Sequence, residues 1–162
     1  MNTTAESIPV PHESQTRSNS AAAKAILIGG SLAGLFDITY AMLRWGWQIP
    51  RVVAGGLLGP GALRSESLAV WCLGLILHFS ITNIDAAIYY SVSRKLEFLK
   101  QHAVICGMFF GIAMYLVMNL IVVPLSALHS TRDFSMAALR EGLIVHMVLG
   151  VIIALSIKRF SR

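Results

Sequence analysis

The sequence predicts an all-α, polytopic membrane protein with four transmembrane helices in a bundle and a short interfacial helix between the first two. Two observations indicate this class. Of the 162 residues, 56% are apolar and only 13% are charged, which is too little charge to cover a soluble domain of this size. The apolar residues also form blocks of about 20, the length at which a helix crosses a hydrocarbon layer of ~30 Å.

The first element is a polar tail followed by the first span. Residues 1–23 are rich in Ser, Thr, Asn, Ala and Pro, a composition that predicts a disordered cytoplasmic tail. The apolar block at residues 24–43 is interrupted only by Asp37 and is too long for the apolar part of a secretory signal. We therefore expect a retained first span and a transmembrane domain over residues 24–162.

The connection after the first span is unusually apolar for an aqueous loop, yet its glycines and prolines interrupt any spanning pattern. Trp45 and Trp47 are typical of the headgroup belt, where an amphipathic ring has one wet end. A short helix around Pro50 to Leu58, lying on the outer membrane surface, is one interpretation of this connection. A segment that dips into the membrane and lines a cavity is the other.

Three further apolar blocks follow, at residues 68–92, 103–123 and 138–157. Pro124 directly follows the third block, and the basic tail KRFSR follows the fourth. A spanning segment must satisfy its own backbone hydrogen bonds, and none of the blocks alternates as a barrel strand does. All three are therefore predicted to be helices.

Basic residues at the ends of the spans predict the orientation. A cytoplasmic N-terminus gives the cytoplasmic side eight Lys and Arg and leaves five on the other side. We therefore predict a protein of the bacterial inner membrane, with the lipid bilayer as its first partner and both termini in the cytoplasm. The net charge of +5 follows from this asymmetry, and no basic stripe with interleaved aromatics predicts nucleic-acid binding.

Small residues four apart predict how the helices pack. Gly30 and Gly34 in the first span, and Gly107 and Gly111 in the third, form smooth patches that allow close approach of a neighbouring helix. Packing within the chain is one interpretation, and packing between chains in a homo-oligomer or a larger membrane complex is the other.

Polar side chains inside the second span form a stripe. At 100° per residue, His78, Thr82, Asp85 and Tyr89 fall near one line of the helix. A central Asp facing lipid costs about 2.5 to 3.5 kcal/mol on insertion scales, so we expect the stripe to face the interior or water. Thr82, Asp85 and Tyr89 then form a candidate inward polar path.

Ionisable residues of three spans are predicted to lie at one depth. Asp37, His78 and His146 each fall roughly 10 to 15 Å below the outer end of their helix, and Asn119 lies slightly nearer the outside. These four residues form the candidate intramembrane polar site. Two imidazoles and one carboxylate are also an acceptable ligand set, so Asp37, His78 and His146 are the candidate ligands for a divalent metal or haem.

Four short motifs resemble those of a known family. GGSLAGLFD in the first span, RWGWQIP after it, VVPLSAL at the end of the third span and EGLIVH in the fourth resemble the small YagU-like inner-membrane proteins of bacteria. The resemblance implies an inner-membrane helical protein with a connection to acid tolerance. It implies no catalytic residues and no cofactor.

The residues leave three interpretations of function open. The polar site serves proton- or ion-linked transport, since Asp and His are the usual relay groups in membranes. Alternatively, the chain is an accessory or scaffold subunit whose polar residues lock helix packing. The third interpretation is a haem- or metal-binding redox protein. Enzymatic catalysis has little basis, because no Ser lies in a nucleophile motif and the loops are too short for a soluble catalytic domain.

Overall fold

A computed structural model describes residues 12–129 and 135–160 of the chain. It is helical almost throughout, and no strand occurs within those two ranges. In chain order the helices are α1 His12–Trp45, α2 Ile49–Leu58, α3 Leu68–Lys95, α4 Phe98–Gln101, α5 Ala103–Leu125 and α6 Met136–Phe160, with a 3₁₀ turn at Pro60–Arg64 before α3.

Four of these helices are long and apolar enough to cross a membrane. They are Asn19–Trp45 within α1, Leu68–Lys95, Ala103–Leu125 and Met136–Phe160. The four predicted spans and the multi-pass class are confirmed, and each predicted block lies inside the corresponding helix.

The N-terminal boundary of α1 differs from the sequence-based expectation. The helix begins at His12, so the second half of the predicted tail at residues 1–23 is helical, and residues 1–11 lie outside the described part. A physical reason is that extending an existing helix costs far less than nucleating one. Ala21, Ala22 and Ala23 join the tail to the span and are the best helix formers available.

Glycine and proline place the ends of the helices. Gly46, with φ of 98°, turns the chain directly after α1, and Pro50 lies in the first turn of α2, where its missing N–H costs nothing. Gly59, with φ of 84°, ends α2. In α5 the turn Met118–Val122 is π-helical, directly before Pro124. Helix α2 is therefore held between two glycine turns.

The spans do not all pack on one another to the same extent. Helix α6 packs along both α5 and α1, α1 also packs along α3, and α2 packs along α3. The contact between α3 and α6 is much shorter. Beyond α5, the Ala127 N–H donates to the Gly56 carbonyl at 2.9 Å, which joins α2 to the end of α5. The core consists of buried Ala, Leu, Ile and aromatic side chains, including Ala33, Ala86, Tyr89, Leu149, Ile153 and Ile157.

Many large apolar side chains on the spans remain exposed. Phe109 is 69% exposed, Ile76 64% and Leu27 58%. A soluble protein rarely leaves so much contiguous apolar surface in water, whereas lipid chains cover it at no cost. The apolar helices thus indicate contact with a lipid bilayer.

The glycine patches pack inside the chain, as the sequence predicts for one of its two interpretations. A Cβ at Gly30 would lie 2.6 Å from the Asn83 Cα, so α1 and α3 approach each other closely here. A Cβ at Gly107 would lie 2.8 Å from the Val151 Cα, and one at Gly111 would overlap the His146 carbonyl. These contacts bring the α5 and α6 backbones together.

Candidate intramembrane polar site

Asp37 and His78 lie together between α1 and α3. Gly34 has no side chain, so the α1 backbone comes close enough for His78 Nε2–H to donate to the Gly34 carbonyl at 2.9 Å. Asp37 lies one turn further along α1, and its Oδ2 is 3.9 Å from the same Nε2. The His78 residue is only 8% exposed, whereas the Asp37 side chain is 26% exposed. The pair therefore joins a buried imidazole to a more accessible carboxylate.

The geometry of this pair allows two protonation states with little change in net charge. At 3.9 Å the carboxylate lies beyond hydrogen-bond distance of Nε2, which instead donates to a backbone carbonyl. A protonated imidazole beside a carboxylate and a neutral imidazole beside a carboxylic acid carry the same net charge. A small rotation of either side chain brings the two atoms into hydrogen-bond distance.

His146 lies on α6 where that helix packs on α5. Its Nδ1 is 2.9 Å from the Gly142 carbonyl, one turn earlier in the same helix, so Nδ1 carries the hydrogen. Its ring meets the Tyr115 ring edge-on, with the centroids 5.2 Å apart. A Cβ at Gly142 would lie 2.3 Å from the Tyr115 ring, so the absence of a side chain there makes room for this tyrosine.

Asn119 lies in the π-helical turn of α5. Its Nδ2 donates to the Tyr115 carbonyl at 2.8 Å, four residues earlier, and the side chain is partly buried. Single π-helical turns inside α-helices are often found at functional sites. Asn119 and His146 thus both lie beside Tyr115.

The predicted layer is therefore divided between two helix interfaces. Asp37 and His78 meet between α1 and α3, whereas His146 and Asn119 lie near Tyr115 where α5 and α6 pack. Over the described ranges, no group of three or more His, Cys, Asp or Glu lies close enough to hold a metal ion. Asp37, His78 and His146 do not converge on one point there, and the metal or haem interpretation stays a prediction.

The predicted inward path follows the buried face of α3 in part. Thr82 is 5% exposed and donates to the Phe79 carbonyl at 3.2 Å. Tyr89 is 2% exposed and donates to the Leu99 carbonyl at 3.1 Å. Asp85 is partly buried, and no hydrogen bond or ion pair joins it to another described residue. Thr82 and Tyr89 are therefore held by backbone carbonyls, and Asp85 is the ionisable member of the path.

A polar cluster at the far end of α1 is missed by the sequence analysis. The Glu141 carboxylate accepts a hydrogen bond from the Tyr40 hydroxyl at 2.5 Å and another from Arg44 Nε at 2.9 Å. Helical periodicity alone places Glu141 in an outer rim with Arg140. The signal available in the sequence was opposite charge at one predicted depth, Arg44 at the end of the first span and Glu141 near the start of the fourth.

Replacing Glu141 by Gln should lower the thermal unfolding midpoint of the detergent-purified protein. The amide carries no charge, so the ion pair with Arg44 is lost and the hydrogen bond from Tyr40 weakens. The decrease should be modest because Arg44 is largely exposed. Arg140→Gln, one residue away and exposed, is the matched control and should leave the midpoint unchanged. Equal midpoints for the wild type and Glu141→Gln would contradict a stabilising role for the cluster.

No family model, curated protein or solved structure matches this chain. The resemblance to the YagU-like proteins therefore stays a prediction that rests on the quoted motifs.

Proposed function

We propose that this chain is a bacterial inner-membrane protein of the YagU-like kind, in which Asp37 and His78 carry a proton for proton- or ion-linked transport. The observation that carries the proposal is the 3.9 Å approach of two ionisable side chains from different spans. Ionisable groups are costly within the apolar part of a membrane and are found there mainly on ion and proton pathways. Histidine changes charge near neutral pH, which suits it to accept and release protons.

Asp85 supports the proposal by extending the polar groups along α3. It lies seven residues beyond His78, a rise of about 10 Å towards the other end of the helix. Thr82 lies between them on the same face and is buried. In this proposal a proton passes between Asp37 and His78 and then reaches Asp85 through water.

Proton flux into proteoliposomes tests this function. With a pH-sensitive dye inside the vesicles, the wild type should dissipate an imposed pH gradient faster than empty liposomes. His78→Ala and Asp37→Asn should reduce the rate at least tenfold, because each removes one proton-binding group. Ser80→Ala is the matched control, since Ser80 is exposed on α3 and donates only to the Ile76 carbonyl of its own helix.

Two outcomes would contradict proton transport. One is a wild-type rate equal to that of empty liposomes under both signs of membrane potential. The other is an unchanged rate in both the His78 and the Asp37 variants, with Ser80→Ala as the reference.

A second candidate is an accessory or scaffold subunit, and the hydrogen bonds of the polar side chains favour it. His78, Asn119 and His146 each pair with a backbone carbonyl, as does Asn83, whose Nδ2 donates to the Phe79 carbonyl at 2.7 Å. Such bonds stabilise helix packing without any transported ion. This candidate predicts that the polar variants lower the thermal midpoint, while the wild type shows no proton flux and co-purifies with copies of itself or with another membrane protein.

Reporter fusions test the proposed orientation. Fusions after Arg94 and after Arg162 should give cytoplasmic signals, and a fusion after Thr131 should give an external signal, because the basic residues favour a cytoplasmic location for both termini. In this orientation α2 lies at the outer membrane surface. An external signal after Arg162 would contradict both the orientation and the placement of α2.

A further inference from the structure

Arg51 is a cation without an acceptor in the first turn of α2. Its side chain is partly buried, and its Nε is fully buried with no hydrogen-bond partner in the part of the chain that the structure describes. The adjacent residue Pro50 is buried, as are Ala54 and Gly55 one turn further along. Arg51 therefore lies at the edge of the α2 face that packs against the rest of the protein.

The position of Arg51 within α2 adds a second positive contribution. The first turn of a helix carries the positive end of its dipole, where acidic residues are favourable and basic residues are not. The first turn of α2 contains no acidic residue, and no side chain caps it. A buried, unpaired guanidinium at the positive end of a helix is a local conflict, and such conflicts concentrate at functional sites.

The depth of Arg51 follows from the packing of α2 on α3. The Pro50 carbonyl lies so close to Gly74 that a side chain there would overlap it. Gly74 is six residues into α3, a rise of about 9 Å. Above it, Trp47 and Trp71 stack with ring centroids 4.6 Å apart, and Trp71 Nε1 donates to the Trp47 carbonyl at 2.9 Å. Trp rings concentrate at the level of lipid headgroups, so Arg51 lies close to the depth of lipid phosphates.

We infer that Arg51 binds a phosphate oxyanion at the start of α2. The planar guanidinium presents its N–H groups as a fork that matches phosphate oxygens, and the buried Nε is one arm of that fork. A bound phosphate supplies the acceptor that Nε lacks and places negative charge at the positive end of the α2 dipole. The phosphate belongs either to an anionic phospholipid or to a small solute, since both present the same oxygens.

Thermal unfolding of the delipidated, full-length protein in detergent tests the site. The probes are phosphatidylglycerol, phosphatidylcholine and inorganic phosphate, and the controls are sodium chloride at matched ionic strength and Arg64→Gln. Arg64 is exposed in the 3₁₀ turn after α2, so this control removes the same charge from nearby. We expect a saturable increase in the midpoint of the wild type and of Arg64→Gln, and at least a tenfold weaker response in Arg51→Gln.

The probes distinguish the two sources of phosphate. A response to phosphatidylglycerol alone assigns the site to an anionic lipid, and a response to inorganic phosphate assigns it to a free phosphate group. No response of the wild type to either probe beyond that to sodium chloride overturns the inference, and so does an undiminished response of Arg51→Gln.

Arg51→Lys is the second variant, in case Arg51→Gln does not fold. Lysine retains the charge but lacks the fork, so binding should weaken several-fold. Native mass spectrometry of the wild type, Arg51→Lys and Arg64→Gln provides an independent measure of bound phospholipid. Retention of equal amounts of phosphatidylglycerol by all three proteins, together with equal thermal responses, would contradict a specific role for Arg51.

Discussion

Gly111→Ala is expected to destabilise the protein by about 3 kcal/mol, the upper end of the typical cost of adding a methyl group to a packed core. The new Cβ would overlap the His146 carbonyl, which belongs to the α6 backbone and cannot rotate away as a flexible side chain would. On the facing helix, a Cβ at Gly150 would overlap the Gly107 carbonyl. Both substitutions force α5 and α6 apart, and unfolding of the purified protein in mixed detergent measures the cost.

Gly61→Ala is the matched control for this prediction. No other group lies within 4 Å of a Cβ at Gly61, and the residue has no positive φ. The same substitution should therefore leave stability unchanged or raise it slightly, because Ala restricts the unfolded chain more than Gly does. Equal stability of Gly111→Ala and Gly61→Ala would mean that α5 and α6 do not approach each other closely.

His78→Ala is expected to destabilise the protein by roughly 2 to 4 kcal/mol, the range for truncating a large buried side chain. The substitution removes the hydrogen bond to the Gly34 carbonyl and leaves a cavity between α1 and α3. It should also be coupled to Asp37→Ala by about 0.5 to 3 kcal/mol, because groups that contact each other do not act independently. Unfolding of the two single variants and the double variant gives this coupling energy.

His146→Ala is the control in the same experiment. His146 lies where α6 packs on α5 and pairs with Gly142, so its effect should add to that of His78→Ala within ~0.5 kcal/mol. Cysteines substituted at positions 37 and 78 should crosslink, whereas a cysteine at position 146 should crosslink with neither. A coupling of His78 to His146 as large as that to Asp37 would instead support one shared site.

The spans could be predicted from the sequence because each depends on local information. A block of about 20 apolar residues specifies a spanning helix by itself, and glycines four residues apart specify a surface that another helix can approach closely. The burial of His78, Thr82 and Tyr89 on one face of α3 likewise follows from helical periodicity.

The arrangement of the polar residues could not be predicted in the same way. Depth along a helix is one coordinate, and a contact also requires knowing which helices are neighbours and how each is rotated. Asp37 meets His78 because α1 packs on α3, while His146 lies where α6 packs on α5. The contact of Glu141 with Tyr40 joins the first helix to the last, and no pattern within either helix specifies it.

The π-helical turn Met118–Val122 sets the alignment between α5 and α2. A π-helical turn accommodates one residue more than the same length of α-helix, so it resembles an insertion that the helix has absorbed. Deleting one residue from this turn would restore regular winding and rotate everything beyond it by about 100°. The Ala127 N–H, which now donates to the Gly56 carbonyl, would then point elsewhere. A length change of one residue in α5 would thus detach the helix that carries Arg51.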